Sequence, residues 1–284
     1  MPGNCAAELA MPEAFIRQIA YSAKTRDSLA PGFSVLDNMR NERPDWREYW
    51  PIRKFLREAP MGEDAFYAFL SPKFGAKTGL DATRVIDFIG RHGATCDVLL
   101  FSPFFDQIAY ALNIFEQGTM QHGNTMQTFR ETVLCVAPEV DFDSLVMDSS
   151  NTVFCNFFAA KPAFWKAWLE KCERIFVIAE EGKTDFARRL NANTDHEAGG
   201  APTKTFVIER IASLMLATEN RWKPKAFNSQ DLPWSGSPLG QFRLEMIFLD
   251  ALKLAYAREG HQQYLAAFHD LRAWVGQSLQ KAQS

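Results

Sequence analysis

With 284 residues, 47% of them hydrophobic and 23% charged, the chain has the make-up of a soluble globular protein that can bury a core without staples. A net charge of -3 leaves no broad basic footprint, which argues against nucleic acid as a partner. The five cysteines, Cys5, Cys96, Cys135, Cys155 and Cys172, lie far apart without a CxxC, which argues against a disulfide frame or a zinc site.

The opening MPGNCAAELAMPEAF lacks the basic start and long apolar core of a signal peptide. No apolar run approaches the roughly 20 residues that span a bilayer. The expected location is the cytoplasm. Phenylalanine is abundant at 24, with 7 tryptophans, a surplus that raises the question of ring-stacking ligands.

In chain order, Phe15 to Tyr21 predicts a buried first strand, and residues 22–46 a long irregular loop broken by Pro31, Gly32, Asn38, Asn41 and Pro44. Asp45 is placed to cap a helix from Trp46 to Arg57. Phe66 to Leu70 predicts a second strand. Asp81 caps a helix with Val85, Phe88 and Ile89 on one face, and Asp97 to Phe101 predicts a third strand. FDQIAYALNIFEQG predicts one helix stopped by Gly118, followed by another at Thr125 to Val133.

Asn151 to Ala160 predicts a strand, and Pro162 opens a helix through FWKAWLEKCERIF. Residues 181–202 are polar and predict a mobile loop. Lys204 to Thr218 predicts a helix and 219–239 an irregular excursion. Gln241 to Leu279 predicts two helices broken at Gly260. Strands alternating with helices predict an α/β fold with a mixed, partly parallel sheet flanked by helices. The expected division is an α/β domain over 1–220 and a helical C-terminal extension over 221–284.

The stretch FYAFLSPKFGAKTGL joins a strand to a helix through a basic, glycine-containing loop. A Walker loop is excluded, because Ala76 and Leu70 stand where its two glycines belong. Two readings remain. The loop is a basic surface turn, or Lys73 and Lys77 hold a diphosphate at the carboxyl edge of the sheet. Asp141-Phe142-Asp143 is either a solvated turn or a pair of carboxylates sharing a divalent cation. In RPDWREYWPIR, Arg47, Glu48 and Arg53 form either a surface ion-pair helix or a binding element.

His122 sits in a loop near a helix end and assembles into no hydrolase triad, and there is no HExxH. Glu209 and Arg210 interrupt the apolar helix KTFVIERIASLMLAT, so each needs a partner. Either they form a buried ion pair, or Glu209 faces a cleft as a base or hydroxyl acceptor.

Taken in order, QIAYSAKTRDSLAPGFSVLDN, EYWPIRKFL, FYAFLSPKF, SNTVFCNFFAAKPAFWKAWLEKCERIF and TFVIERIASLMLAT resemble glycosyltransferases of bacterial surface-polysaccharide clusters, of the GT-A kind. The resemblance covers roughly residues 15–220 and lies in order and spacing. It implies a GT-A-like fold and transfer of a sugar from a nucleotide-sugar to a hydroxyl of a carbohydrate or lipid-linked acceptor. A lipid-linked acceptor would bring the protein to a membrane as a peripheral partner.

Leu70-Ser71-Pro72-Lys73 departs from the His-Tyr-Arg-Arg of the resembled loop, which leaves donor identity and use of a divalent cation (manganese or magnesium) open. On this reading Lys73 and Lys77, beside Ser71, face the diphosphate. Tyr21, Asp37 and Asn38 lie near the nucleotide, Asn156 lines the acceptor side, and Glu209 is the catalytic base. Arg47 and Arg53 complete the expected substrate-binding set. The alternatives are a non-catalytic carbohydrate- or protein-binding member of the same fold, and an unrelated α/β enzyme acting on a phosphorylated small molecule.

Overall fold

The computed structural model describes residues 12–194 and 200–283, so the expectation of no signal peptide, Cys5 and part of the polar 181–202 stretch lie outside the described residues. Strand β1 (Ala14–Ala20) leads into helix α1 (Ala23–Asp27) and strand β2 (Ser34–Asp37). The expected irregular loop is thus partly regular. Ser22 and Thr25 cap α1 reciprocally, Ser22 Oγ accepting from Thr25 N at 3.1 Å and Thr25 Oγ1 from Ser22 N at 2.9 Å. A 3₁₀ turn over Pro44–Trp46 precedes α2 (Tyr49–Glu58). Asp45 does not cap that helix. Its carboxylate is taken by Arg43 at 2.9 Å and Lys204 at 2.6 Å.

Strand β3 (Phe66–Leu70) is buried at all five positions and runs into α3 (Phe74–Thr78). Helix α4 (Ala82–His92) starts at the Asp81 cap and buries Val85, Phe88 and Ile89, as its spacing predicts. After β4 (Val98–Leu100), the single expected helix is two, α5 (Phe105–Tyr110) and α6 (Ile114–His122). Asn113 makes the break, its Oδ1 accepting from Phe115 N at 3.0 Å and Glu116 N at 2.9 Å. Gly118 lies inside α6 rather than ending it, and Gly123 is the C-cap.

Helix α7 (Met126–Val136) follows. Of the predicted 151–160 strand only β5 (Phe158–Ala160) is extended, because the residues before it form tight turns. Helix α8 (Pro162–Glu181) opens on its proline, and α9 (Asp185–Asn191) on a Thr184 cap. The two-residue strands β6 (Asn193–Thr194) and β7 (Ala201–Pro202) pair before α10 (Thr203–Thr218). Strand β8 (Pro224–Ala226) precedes α11 (Arg243–Glu259) and α12 (Gln262–Gln283), separated at Gly260.

The main sheet has the order β2-β1-β3-β5-β4-β8. Only β5 runs antiparallel to its neighbours; the other pairings are parallel. The architecture is the expected mixed α/β sheet with a helical C-terminal part. Residues past 220 are more than a helical extension, however, because β8 completes the sheet beside β4.

Alternation along β3 serves both faces: Tyr67 and Phe69 enter the core with Trp46, Trp165 and Trp168, while Phe66, Ala68 and Leu70 enter the one with Phe74, Phe88 and Phe101. The ring surplus is largely this packing; Trp165 stacks on Phe158 at 4.4 Å and meets Trp168 edge-on at 5.3 Å. A third cluster joins Phe105 and Ala109 of α5 to Met246, Leu249, Phe268 and Val275 of α11 and α12. Among the described residues no helix is long and apolar enough to cross a membrane.

Candidate functional site

The carboxyl ends of β1, β2, β3 and β4 open on one edge of the sheet, and the antiparallel β5 starts from that edge too. Ligands of open α/β sheets bind at this edge. A cleft of two adjoining lobes, about 270 and 370 Å³, lies there. Tyr21, Arg47, Glu48 and Lys73 line both lobes. Tyr21 follows β1 directly and leaves 41% of its surface exposed, so its ring is open to a ligand.

The basic loop after β3 forms one wall. Gln18, buried in β1, donates from Nε2 to Ser71 O and Pro72 O at 3.2 Å each and accepts Ala30 N at 3.0 Å. One side chain therefore fixes both the exit from β3 and the chain after α1. Ser71, Lys73 and Lys77 all reach the cleft. Lys77 Nζ lies 3.0 Å from Cys155 Sγ. Burial disfavours its charge, but Cys155, Glu209 and Glu48 outweigh that and raise the lysine above its ordinary value. Burial is also the main cause that pushes the Cys155 thiol up to about 12, so the sulfur stays protonated at neutral pH.

Helix α10 supplies the opposite wall. Glu209 keeps part of its surface open to the cleft although protein surrounds it. Burial raises its carboxyl most and Glu48 adds to it; Arg210, Lys77 and Arg47 pull down, and the balance stands at about 7. These charges act on it through space; among the described residues its carboxylate accepts no hydrogen bond. Glu209 and Arg210 are not paired in contact. Arg210 turns toward α6, donating to Ile114 O at 3.1 Å, Phe206 O at 2.7 Å and Gln117 Oε1 at 3.2 Å. Of the two sequence readings of this pair, the geometry matches Glu209 at the cleft.

Backbone strain concentrates here. The five non-glycine residues with positive φ among those described are Asn41, Arg47, Phe104, Cys155 and Asn156. The first four line the cleft and the fifth adjoins it. Conformations of this kind cost of order 1–3 kcal/mol each and gather at functional sites. The turn carrying Cys155 is held by Ser102 Oγ, which donates to Thr152 O at 2.8 Å and accepts Phe154 N at 3.2 Å.

The structure thus brings Tyr21, Asn38, Arg47, Ser71, Lys73, Lys77 and Glu209 together. Asp37 is not among the lining residues of either lobe; it accepts Met39 N at 2.8 Å and shapes the turn carrying Asn38. Asn156 is buried beside the cleft, and its Oδ1 has no hydrogen-bond partner among the described residues. Arg53 lies elsewhere, on α2. It bonds Glu173 from Nε at 2.5 Å and Nη2 at 2.8 Å and sits 4.1 Å over the Phe176 ring.

Asp141 and Asp143 are also remote from the cleft walls. Asp141 caps its own 3₁₀ turn, and Asp143 pairs with Arg130. Among the described residues no three His, Cys, Asp or Glu side chains group closely enough to hold a metal ion. Cys155 and three glutamines, Gln107, Gln117 and Gln121, also line the cleft, and they are not among the site residues expected from the sequence. Comparison with family models, with curated proteins and with solved structures returns no match to this chain.

Proposed function

We propose that this protein is a glycosyltransferase that moves a sugar from a nucleotide diphosphate-sugar to a hydroxyl acceptor. The observation that carries the reading is Glu209, a carboxyl balanced at about 7, in one cleft with Lys73, Lys77 and Arg47. A base of that pKa accepts a hydroxyl proton near neutral pH, and lysines in the same cleft neutralise a leaving diphosphate. The fold supports the reading at the level of class: a largely parallel mixed sheet with its cleft at the carboxyl edge. The GT-A-like arrangement belongs to the same proposal.

In this reaction the acceptor oxygen forms a bond to the anomeric carbon as the bond to the diphosphate oxygen breaks. That electron pair leaves with the diphosphate, against Lys73 and Lys77. The acceptor proton passes to Glu209. Tyr21 offers an exposed ring for a nucleobase or sugar face, and the lobe with Asn38 and Asn41 offers amides for hydroxyls.

The test is a screen of nucleotide-sugars by melting shift and by release of nucleoside diphosphate, on wild type and Glu209→Gln, with and without manganese or magnesium. Stabilisation by a nucleotide-sugar, and release that Glu209→Gln abolishes, are expected. Binding without release would instead assign a binding protein. Stabilisation by sugar phosphates but by no nucleotide would assign a different enzyme class.

A further inference from the structure

The cleft is chemically lopsided. Lys73, Lys77 and Arg47 are brought to it by the chain that follows β3 and β2. The end between α5, α6 and α10 is lined by Gln107, Gln117, Gln121, His122, Thr205 and the rings of Phe104 and Phe206. Arg210 is the cation at that end, but its donors already meet Ile114 O, Phe206 O and Gln117 Oε1.

The amides there are oriented by necessity. A guanidinium only donates, so Gln117 must turn its oxygen to Arg210. Its Nε2 is then a donor, and it meets Gln107 Oε1 at 2.8 Å. Gln107 is left with its own Nε2 hydrogens, which find no acceptor among the described residues. The chain Arg210 to Gln117 to Gln107 is a relay that presents a polarised N–H donor. Gln121, on the next turn of α6, is exposed, and its side-chain amide makes no hydrogen bond among the described residues. An amide of this kind both donates and accepts.

From this we infer that the α5–α6 end of the cleft is a subsite for an uncharged, hydroxyl-rich group, read by Gln107 and Gln121. Hydroxyl oxygens accept from the Gln107 donor, and hydroxyl hydrogens donate to the Gln121 oxygen. Phe206 is already stacked on His122, with ring centroids 3.7 Å apart, and the half-buried ring of Phe104 suits the apolar face of a ring bearing such hydroxyls. An anion is better served at the lysine end, because among the described residues no lysine lines this end and the donors of Arg210 are taken. Under the proposed transfer reaction, on which this assignment rests, the group held here is the acceptor, with a hydroxyl directed to Glu209.

The assignment can be tested without turnover, by ligand-observed NMR on the full chain. The probes are methyl glucoside, methyl galactoside and methyl mannoside, matched with glucuronate and glucose 6-phosphate, at about 10 mM, where weak carbohydrate sites fill. Wild type is expected to bind at least one neutral glycoside more strongly than either charged probe. Gln107→Leu and Gln121→Ala are expected to weaken that binding by roughly tenfold, the loss of one to two hydrogen bonds. Gln121 holds no internal bond, so its variant keeps the test valid if Gln107→Leu misfolds.

Preference for a charged probe, no glycoside binding at all, or undiminished binding in Gln121→Ala would overturn the subsite. Failure of the transferase reading looks different. Nucleotide-sugars would then neither bind nor turn over, while neutral glycosides still bound in a Gln121-dependent way.

Discussion

The guanidinium of Arg210 fills the space that a side chain at position 118 would need: a methyl on Gly118 would come within 2.4 Å of Nη2 and 2.5 Å of Nε. This is why a glycine stands in the middle of α6, where its usual role as a helix end does not apply.

The sign of one substitution tests the packing. In an unencumbered helix, alanine is more stable than glycine by about 0.5–1 kcal/mol. Here it must displace a buried guanidinium with bonds to Ile114, Phe206 and Gln117. Gly118→Ala is therefore expected to lose about 1–3 kcal/mol in urea unfolding. A gain in stability would mean that Arg210 does not occupy that seat.

Glu209 separates chemistry from packing. Glu209→Gln keeps the shape and removes the base, so turnover is expected to fall by about 10²-fold or more. Activity in wild type should rise with pH through about 7 as the carboxyl loses its proton. Stability runs the other way. The folded value is raised above the ordinary 4.5, so the folded state holds the proton more tightly. That contribution is complete below the unfolded value and is lost as pH rises through about 7. The glutamine variant should therefore melt no lower than wild type at pH 8. A large drop in melting temperature there, with the folded fraction fully active, would assign Glu209 to structure.

The basic loop has its own signature. Lys73→Ala and Lys77→Ala are each expected to weaken nucleoside-diphosphate binding roughly tenfold, the scale of one charge-assisted hydrogen bond. The wild-type affinity should fall as salt rises. Titration calorimetry at two ionic strengths measures both effects, and unchanged affinity in both variants would remove the lysines from the site.

Arg53 gives the opposite pattern. Its partner Glu173 also accepts from Tyr49 Oη at 2.6 Å and Arg57 at 3.2 Å, so loss of the arginine removes two of the four bonds that tie α2 to Glu173 of α8. Arg53→Ala is expected to cost about 1.5–3 kcal/mol with ligand affinity intact. Burial opposes the charge of Glu173, but Arg53, Tyr49 and Arg57 hold its carboxyl below the ordinary 4.5. The stability that it contributes is present above 4.5 and disappears as pH falls through the lowered value. Acid unfolding should begin at higher pH in the variant.

Elements with a strong local signal were legible in the sequence. The all-apolar Phe66–Leu70, the Asp81 cap and the first-turn Pro162 each fall where local chemistry puts them. The Asn113 cap was as local but lay hidden in a run of helix formers. Strand β2 was missed because it is an edge strand with only Leu36 buried.

At the site, Lys73 and Lys77 were legible because their loop follows a plain strand. The separation of Arg53 from Arg47 was not. A positive φ at Arg47 turns the chain just before α2, and no residue pattern announces that turn. The glutamine relay depends on two helices meeting a third, which is tertiary information.

Lys253 reaches from α11 to the final carbonyls of α5, with Nζ at 2.6 Å from Ile108 O and 2.7 Å from Ala111 O. Arg272 of α12 grips Glu116 of α6 at 2.7 and 2.8 Å. The helices that carry Gln107 and Gln117 are thus pinned by residues made more than a hundred positions later. Translation runs from the N-terminus and domains fold as units. A nascent chain that has reached β8 already has the segments of the sheet and the basic loop, but not the pins. The cleft becomes a finished compartment only after the last two helices have been synthesised and docked.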